Sequence, residues 1–265
     1  VFVAGRRVTD AAQLEITKCV KSPLADLESN TIGTLRVLEA AMAAGVEKLV
    51  NASSACVYGQ AQHTPQSEDG HPTDPNWEYG VSKLAAEKYA RLFWEAGRLN
   101  TVSLRYAIIY GEREWCGRVI TMFLRRALSG APPVVFGSGD QVRDFTHVAD
   151  LVRMHRLALE RPEADGKVFN VSTGLGTNVA HLAELCRQVT GVSAPVVYEK
   201  TAEGEVSKEM PDRVRLPQEL KTMVLDPARA KAVLGWQAEI ALRDGLAREW
   251  AWIRERPHRW QRVSI

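Results

Sequence analysis

The chain has 265 residues, of which 45% are hydrophobic and 25% are charged, proportions typical of a globular protein. A chain of this length buries a substantial core, as one large domain or as two interleaved domains. The 34 basic and 32 acidic residues leave a formal net charge of +2, so the charge balance gives no general case for nucleic acid or an anionic membrane as a partner.

The four cysteines are scattered along the chain without a Cys-x-x-Cys pair or a Cys/His cluster of the kind that binds metal. They are Cys19, Cys56, Cys116 and Cys186. Reduced thiols in a cytoplasmic protein without a metal site are the simplest interpretation. No apolar run approaches the roughly 18 residues that a membrane-spanning helix needs, so we expect no membrane segment.

The first elements in chain order are a short strand, a loop and a helix. Val1-Phe-Val-Ala-Gly5 is typical of the end of a buried strand, and residues 6–23 are predicted to form a loop. In residues 26–45, apolar side chains recur at helical spacing and Gly45 is a typical C-terminal stop. The pattern therefore predicts a helix over 26–45.

The next two elements bring together three polar side chains. Lys48-Leu-Val-Asn-Ala-Ser-Ser54 is typical of a short apolar strand that ends in hydroxyl residues. The sequence from Glu78 onward predicts a helix that carries Tyr79 and Lys83 one turn apart on one face. A phenol has an ordinary pKa of about 10, and a nearby ammonium favours its ionised form. Ser54, Tyr79 and Lys83 are therefore predicted to form an alcohol-oxidation site, with Tyr79 as the general base.

Further strands and helices follow along the rest of the chain. The predicted strands are 99–106 and 167–172, and the predicted helices are 148–160, 178–190 and 242–256. Asn178 is a typical residue for the start of a helix. No internal repeat or low-complexity segment interrupts these elements.

Several motifs in a fixed order connect these elements to a known family. They are Ser-Ser-Ala-Cys-Val-Tyr-Gly59, the 25-residue step from Ser54 to Tyr79, Tyr-Gly-Val-Ser-Lys83 and Val-Ser-Leu-Arg-Tyr106. From about Asn30 to Trp236, the chain resembles the extended short-chain dehydrogenase/reductase family, in particular its nucleotide-sugar epimerases of the UDP-glucose 4-epimerase type.

The resemblance implies an α/β fold, with a Rossmann-type doubly wound parallel sheet and a smaller α/β substrate-binding domain. The NAD-binding domain would comprise residues 1–110 and about 144–172, and the nucleotide-sugar-binding domain would comprise residues 111–143 and 173–265. The middle helix and strand would return to the first domain, so the two domains would be interleaved.

The resemblance also implies NAD as the cofactor. The implied cofactor contacts are Ala4, Gly5, Asn30, Ala52, Ser53, Tyr79, Lys83 and Tyr106. Phe2 to Gly5 matches the fourth strand of the family, with the first strand, its glycine turn lost, as the alternative. The upstream strand, Gly-x-x-Gly-x-x-Gly turn and acidic ribose-binding residue of the family do not occur in this sequence. Either the numbering restarts after an absent segment, or the sequence joins pieces across a gap.

The residues implied to bind the substrate lie in both parts of the chain. They are Ser54, Tyr79, Ile108, Arg118, Val119, Phe136, Arg143 and Arg215. Arg143 matches the arginine that reaches the diphosphate, a role suited to the planar donor fork of a guanidinium. Phe136 matches a residue that stacks on uracil, and Arg118 and Val119 match the segment whose backbone reads the base.

Some of the expected phosphate and sugar contacts depart from the family pattern. Ile108 stands where related epimerases usually have an asparagine, so the contact with the substrate pyrophosphate must differ. The second phosphate contact falls on Arg213 or Arg215, in a distorted version of the family motif. Residues 6–23 should lie near the sugar, where their positive charges either touch an acidic sugar or remain in solvent.

The favoured reaction is NAD-dependent epimerisation at C4 of a UDP-sugar through a transient 4-keto intermediate. As the resemblance implies, Tyr79 removes the proton of the 4-hydroxyl and Ser54 hydrogen-bonds the same hydroxyl. Lys83 lowers the pKa of Tyr79 and holds the nicotinamide ribose. Related dehydratases and decarboxylases need a carboxylic acid just after the hydroxyl residue, and Ala55 and Cys56 stand there instead.

The same sequence is also compatible with other functions and with another assembly. The alternatives are a UDP-uronate 4-epimerase, a nucleotide-sugar 4-ketoreductase or dehydrogenase, and a non-catalytic nucleotide-sugar-binding relative. The helices near 30–45 and 79–97 are apolar nearly all round and need a second partner, and the resemblance implies a homodimer that packs through these two helices. A deeply buried helix in a monomer is the alternative.

Overall fold

The computed structural model describes residues 2–3, 6–9, 12–114, 117–210, 214–215 and 220–259, with 2–3, 6–9 and 259 described by their backbone alone. The strands are β1 (Phe2–Val3), β2 (Arg6–Thr9), β3 (Lys48–Ser54), β4 (Asn100–Tyr106), β5 (Ile108–Tyr110), β6 (Val134–Phe136), β7 (Val142–His147), β8 (Val168–Val171), β9 (Gly176–Asn178), β10 (Val197–Glu199) and β11 (Thr222–Met223). The α-helices are α1 (Ile16–Lys21), α2 (Pro23–Asp26), α3 (Gly33–Ala43), α4 (Glu78–Glu95), α5 (Val119–Leu128), α6 (Val148–Glu160), α7 (Val179–Thr190), α8 (Ala228–Leu234) and α9 (Leu242–Arg254). A π-helical segment, Leu27–Ile32, joins α2 to α3, and short 3₁₀ turns occupy Ala55–Tyr58, Pro162–Ala164 and Pro257–Arg259.

The largest sheet has the strand order β1–β2–β3–β4–β8, and all neighbours except β1 and β2 run parallel. Every residue of β3 is buried, as expected for a strand covered by helices on both faces. β3 pairs with β4 along its whole length, which places Ser54 opposite Tyr106. The predicted α/β fold with a parallel sheet is confirmed, and the hydroxyl-bearing end of β3 lies at the carboxyl edge of the sheet.

The assignment of Phe2 to Gly5 as the fourth strand of the family is wrong, because a different segment pairs with β3. β1 pairs antiparallel with β2, and β2 is the strand that runs parallel to β3, with Arg6 opposite Lys48. Two of the four β2 residues, Val8 and Thr9, are β-branched and suit a strand. Residues 6–23 are therefore not a plain loop, because they contain β2, α1 and the start of α2.

The predicted helix over 26–45 is present, but its first half is wound differently. Leu27–Ile32 is π-helical, and α-helical hydrogen bonding begins with α3 at Gly33. Asn30 lies within the π-helical segment and is buried. Segments of this kind often occur at functional sites, where the wider turn redirects side chains.

Helices cover both faces of the large sheet, because successive residues of a strand point to opposite sides. On one face, Val50 of β3 shares a buried cluster with Met154 of α6. On the other face, Leu49 of β3 shares a buried cluster with Leu38 of α3 and Phe93 of α4. Packing of helices on both faces is the doubly wound arrangement that we predicted.

The smaller part of the chain surrounds a second core. β5 and β11 both pair with β7 in a parallel arrangement, β9 joins β7 antiparallel, and β6 pairs with β10. α5 and α9 contribute Phe123 and Leu246 to a buried cluster with Phe145 of β7. The predicted division into two interleaved domains stays a prediction. Within the residues described, no helix is long and apolar enough to cross a membrane.

Candidate active site

The start of α4 lies against the 3₁₀ turn that follows β3. A side chain at Gly80 would place its Cβ only 2.5 Å from the backbone oxygen of Cys56. Only glycine permits this close approach of a helix to the neighbouring backbone. The approach brings Tyr79, the residue before Gly80, next to the end of β3.

The side chains of Tyr79 and Lys83 lie on the same side of α4, as their spacing predicts. The Lys83 Nζ atom is 5.9 Å from the centroid of the Tyr79 ring. The same Nζ donates a hydrogen bond to the backbone oxygen of Ala52 at 2.9 Å. Lys83 is buried, so its ammonium is held by the end of β3 instead of moving in solvent.

Ser54 completes the predicted trio at the last position of β3. Its side chain lies beside the Tyr79 hydroxyl, where it acts to lower the pKa of that phenol. The Ser54 Oγ atom also accepts a hydrogen bond from the backbone N–H of Cys56 at 3.1 Å. The structure therefore brings Ser54, Tyr79 and Lys83 together at the carboxyl edge of the sheet.

The net direction that we predicted for the pKa of Tyr79 is wrong for this structure. Burial raises the pKa of Tyr79 well above its ordinary value, and the nearby Cys56 adds to the rise. The nearby Ser54 side chain and the charge of Arg118 act to lower the pKa of Tyr79 but do not outweigh burial. The physical reason is that a phenolate loses its hydration in a buried site.

Two arginines that were predicted to bind the substrate lie near enough to act on this site through their positive charge. The charges of Arg118 and Arg143 lower the pKa of the Cys56 thiol, although burial raises it overall. The Arg118 Nε atom lies 3.7 Å from Oε1 of the buried Glu114. The sequence predicted only a backbone role for Arg118, because no local pattern shows which way a guanidinium at the start of α5 points.

Asn30, a predicted cofactor contact, holds segments of the protein to one another. Its amide nitrogen donates to the backbone oxygen of Gln13 at 2.9 Å and to the Ser82 Oγ atom at 3.3 Å. Its Oδ1 atom accepts from the backbone N–H of Gln13 at 2.8 Å. Ser82 in turn donates to the backbone oxygen of Tyr79 at 3.1 Å. Asn30 thus supports the first turn of α4.

The remaining predicted cofactor contacts differ in where their side chains lie. The Ser53 hydroxyl donates to Glu87 on α4, so its side chain faces the helix. The Tyr106 hydroxyl lies 2.8 Å from Nε2 of His155 on α6. Ala4 and Gly5 lie outside the described residues.

The predicted contacts to the base and phosphates fall into two groups. Ile108 and Val119 pack against buried hydrophobic clusters. Phe136 is half-buried at the end of β6, and the guanidinium of Arg215 lies beside the next residue, Gly137. Arg215 also donates from Nη1 to the backbone oxygen of Thr201 at 2.8 Å. These contacts place Phe136 and Arg215 in one neighbourhood.

Arg143 lies on β7, apart from Arg215 in the sequence. Its Nη1 atom donates to the backbone oxygen of Val142 at 2.9 Å. Its charge reaches Cys56, as described above. Arg213 lies outside the described residues, so Arg215 is the member of that pair that the structure places.

The cysteines that the structure describes are Cys19, Cys56 and Cys186, and all three are free thiols. Burial raises the pKa of each thiol, to about 12 for Cys19. The described residues contain no group of three or more histidines, cysteines, aspartates or glutamates that could hold a metal ion.

A known protein family matches the part of the chain that carries these side chains. The model of the NAD dependent epimerase/dehydratase family matches residues 8–172, which include β3, α4 and the three clustered side chains. The chain belongs to this family. Membership confirms the predicted extended short-chain dehydrogenase/reductase type, the Rossmann fold and the use of NAD.

Curated members of the epimerase/dehydratase family resemble most of the chain. The putative UDP-glucose 4-epimerase of Methanocaldococcus jannaschii is 32% identical over 251 residues, which are 93% of this chain and 76% of the relative. The UDP-glucose 4-epimerase of Mycolicibacterium smegmatis is 33% identical over 242 residues, which are 90% of this chain and 72% of the relative.

Solved structures of epimerases share the fold. The UDP-glucose 4-epimerase of Thermotoga maritima with UDP-glucose has a TM-score of 0.84 and 31% identity, over 95% of this chain and 77% of that chain. MoeE5 in complex with UDP-glucuronic acid and NAD has a TM-score of 0.83 and 32% identity, over 95% of this chain and 79% of that chain. An NAD-dependent enzyme of the nucleotide-sugar epimerase type is thus confirmed at the level of the family.

Proposed function

We propose that this chain catalyses the NAD-dependent epimerisation at C4 of a UDP-sugar through a transient 4-keto sugar. The observation that carries the proposal is the cluster of Ser54, Tyr79 and Lys83 at the end of β3, with the Lys83 Nζ atom 5.9 Å from the centroid of the Tyr79 ring. The similarity to UDP-glucose 4-epimerases supports the choice of reaction and of nucleotide.

The residues at the carboxyl edge of the large sheet fit NAD. Open α/β sheets bind nucleotides at this edge, and here it carries the buried ammonium of Lys83 on the backbone oxygen of Ala52. The end of β3 offers only the small side chains of Ala52, Ser53 and Ser54. When bound there, NAD would supply the hydride acceptor and donor for C4 of the sugar.

The chain's own residues handle the proton of the sugar 4-hydroxyl. Tyr79 takes this proton as general base, and the hydroxyl of Ser54, which lies beside Tyr79, hydrogen-bonds the same sugar hydroxyl. Burial opposes the phenolate form of Tyr79, so the site needs positive charge close to the ring. The Lys83 ammonium and the Arg118 guanidinium supply that charge.

The residues after Ser54 favour epimerisation over elimination of water. Ala55 is buried and has no functional group, and burial keeps the Cys56 thiol protonated by raising its pKa. Neither side chain provides a carboxylic acid that protonates a leaving hydroxyl. The 4-keto sugar therefore takes back hydride at C4 and loses no group.

A UDP-uronate is the second candidate substrate, and one observation favours it. The charges of Arg118 and Arg143 both reach Cys56, next to the catalytic Tyr79. Guanidinium groups bind carboxylates well, because their planar donor fork matches the two oxygens. The resemblance to MoeE5, solved with UDP-glucuronic acid, agrees with this candidate.

The decisive experiment compares Tyr79→Phe with wild type in the full-length protein. UDP-glucose, UDP-galactose and the corresponding uronates would be incubated with each protein, and the products and bound NAD measured. Loss of the general base should lower kcat by about 10²- to 10⁴-fold, without loss of NAD. Tyr89→Phe is the matched control, because Tyr89 lies on the same helix and is exposed. Undiminished turnover in Tyr79→Phe would contradict the mechanism.

We assign the diphosphate of the substrate to the smaller part of the chain. Arg143 on β7 and Arg215 beside Gly137 are the arginines that support this assignment. Arg143→Ala should raise KM for the UDP-sugar more than it lowers kcat, because a phosphate contact is made in both the ground state and the transition state. An unchanged KM would remove Arg143 from the binding site.

We also propose that the protein forms a homodimer through α3 and α4. These helices expose Val37 and Met42 on α3 and Val81 and Leu92 on α4, with 38%, 43%, 54% and 55% of each residue accessible. Leu92→Glu should produce a monomer in sedimentation equilibrium, because a charge cannot be buried in an apolar interface. Val152→Glu is the control, since Val152 is exposed on α6, away from this face. A monomeric wild type would contradict the proposal.

A further inference from the structure

Glu87 lies one helical turn after Lys83 on α4, and its carboxylate is buried in the protein. Three donors meet this carboxylate. Arg105 donates from Nε at 2.9 Å and from Nη2 at 2.6 Å, and the Ser53 Oγ atom donates at 2.8 Å. The two side chains of the ion pair are only 3% to 4% exposed. Glu87 therefore joins α4 to the sheet through a fully desolvated contact.

The partners of Glu87 lie at one level of the sheet. Ser53 on β3 and Arg105 on β4 are directly opposite each other in the strand register. The next residue of β3 is Ser54, whose side chain lies beside Tyr79. One carboxylate thus binds both strands immediately before the strand ends that carry the site.

A second contact joins the same helix and strand one turn earlier. The Lys83 Nζ atom donates to the backbone oxygen of Ala52, the residue before Ser53. Consecutive turns of α4 are therefore bonded to consecutive residues of β3. Two such contacts fix both the distance and the rotation of α4 relative to the strand, which one contact would not do.

Arg105 is itself held in place from its other side. Its guanidinium lies 4.7 Å from the centroid of the Tyr58 ring, and the Tyr58 hydroxyl donates to Asn170 of β8 at 2.8 Å. Burial alone would lower the pKa of Arg105, but the hydrogen bonds and charge of Glu87 more than reverse this and raise it. Arg105 therefore stays charged and keeps its bidentate geometry.

Stability alone is a weak explanation for this arrangement. A buried ion pair loses its hydration, and well-packed apolar side chains of similar volume are often equally stabilising. What apolar side chains do not provide is a directional contact that sets the relative position of a helix and two strands. A bidentate carboxylate–guanidinium pair with a third donor provides such a contact.

We propose that Glu87 and Arg105 are positioning residues that set the geometry of Tyr79 and Lys83 relative to Ser54. The inference rests on the proposed function, because it assigns a purpose to the placement of those three side chains. A misplacement of about 1 Å between reacting groups lowers the rate by roughly 10²-fold, so a small shift of α4 has a large effect on catalysis.

The test uses the full-length enzyme and the double variant Glu87→Met/Arg105→Met, which removes both charges together. The double variant should fold, bind NAD and keep KM within about threefold, while kcat falls by about 100-fold. The acidic limb of the kcat–pH profile should move to higher pH, because a displaced Lys83 stabilises the Tyr79 phenolate less. Glu95→Gln is the control, since Glu95 forms an exposed ion pair with Arg91 on the same helix and should leave kcat and the profile unchanged.

A folded double variant with the wild-type kcat and pH profile would overturn the proposal. If the double variant does not fold, Ser53→Ala decides, because it removes one donor and leaves the ion pair intact. A several-fold lower kcat with a shifted profile in Ser53→Ala supports the proposal, and wild-type values overturn it.

Tyr79→Phe is measured in parallel. If Tyr79→Phe is inactive while the other variants behave as wild type, only the positioning role fails, whereas an active Tyr79→Phe removes the proposed function as well.

Discussion

Glu249 on α9 provides a sharp test of the electrostatics of this fold. Glu249 is 1% exposed, and neither of its carboxylate oxygens has a hydrogen-bond partner in the part of the chain that the structure describes. Burial raises the pKa of Glu249 to about 9, and the charges of Glu114 and Glu112 add to the rise. Burial also raises the pKa of Glu114 to about 8, against the charge of Arg118. Both carboxyl groups therefore keep their protons in the folded protein to a higher pH than an ordinary glutamate does.

These shifts determine the direction in which stability changes with pH. In the unfolded chain, both carboxyl groups return to the ordinary pKa of 4.5 and lose their protons above it. Between about pH 5.5 and pH 7, above the unfolded pKa and below both folded pKa values, the folded state thus holds protons that the unfolded state has released. The free energy of unfolding falls as pH rises, by about 1.4 kcal/mol per pH unit for each group. Together Glu249 and Glu114 contribute a slope of about 2.8 kcal/mol per pH unit.

Glu249→Gln removes one of the two titrating groups while nearly preserving the shape of the side chain. The variant should therefore lose only about half of this pH dependence, a difference of about 1.4 kcal/mol per pH unit from wild type. Urea denaturation followed by circular dichroism at about pH 5.5, 6 and 7 measures the pH dependence of the free energy of unfolding for each protein. Glu255→Gln is the control, because the Glu255 side chain is 66% exposed just after the same helix. Parallel wild-type and Glu249→Gln curves would refute the reasoning.

Two further substitutions test local features of the fold. Gly166 has φ of +72°, and a Cβ there would lie 2.3 Å from the Trp94 ring. Gly166→Ala should therefore lower the free energy of unfolding, measured by urea denaturation, by about 2 kcal/mol. An unchanged midpoint would show that the ring moves aside freely. The Asn178 Oδ1 atom accepts from the backbone N–H of His181 at 2.7 Å at the start of α7. Asn178→Ala should therefore cost about 1 kcal/mol, and Asn178→Ser should recover most of it; equal losses in both variants would argue against the capping bond.

Local patterns in the sequence were enough to predict the central features of the site. β3 is a short apolar run that ends in serines, and α4 carries Tyr79 and Lys83 at i and i+4. Such patterns depend on the periodicity of a single element, which the sequence contains completely. The ordered motifs around them identified the family, and the strands and helices over 99–106, 148–160 and 178–190 follow from the same kind of signal.

Contacts between elements distant in the sequence were decided only by the tertiary structure. The strand that pairs with β3 is Arg6–Thr9. The sequence did not predict this pairing, because hydrogen bonds between backbones carry little sequence signal. Burial turned the expected fall in the pKa of Tyr79 into a rise, because desolvation depends on everything packed around the ring. The Glu87–Arg105 pair joins residues that are 18 positions apart and on different elements. Periodicity within one element contains no information about such a contact, since it depends on how a helix and a sheet pack together.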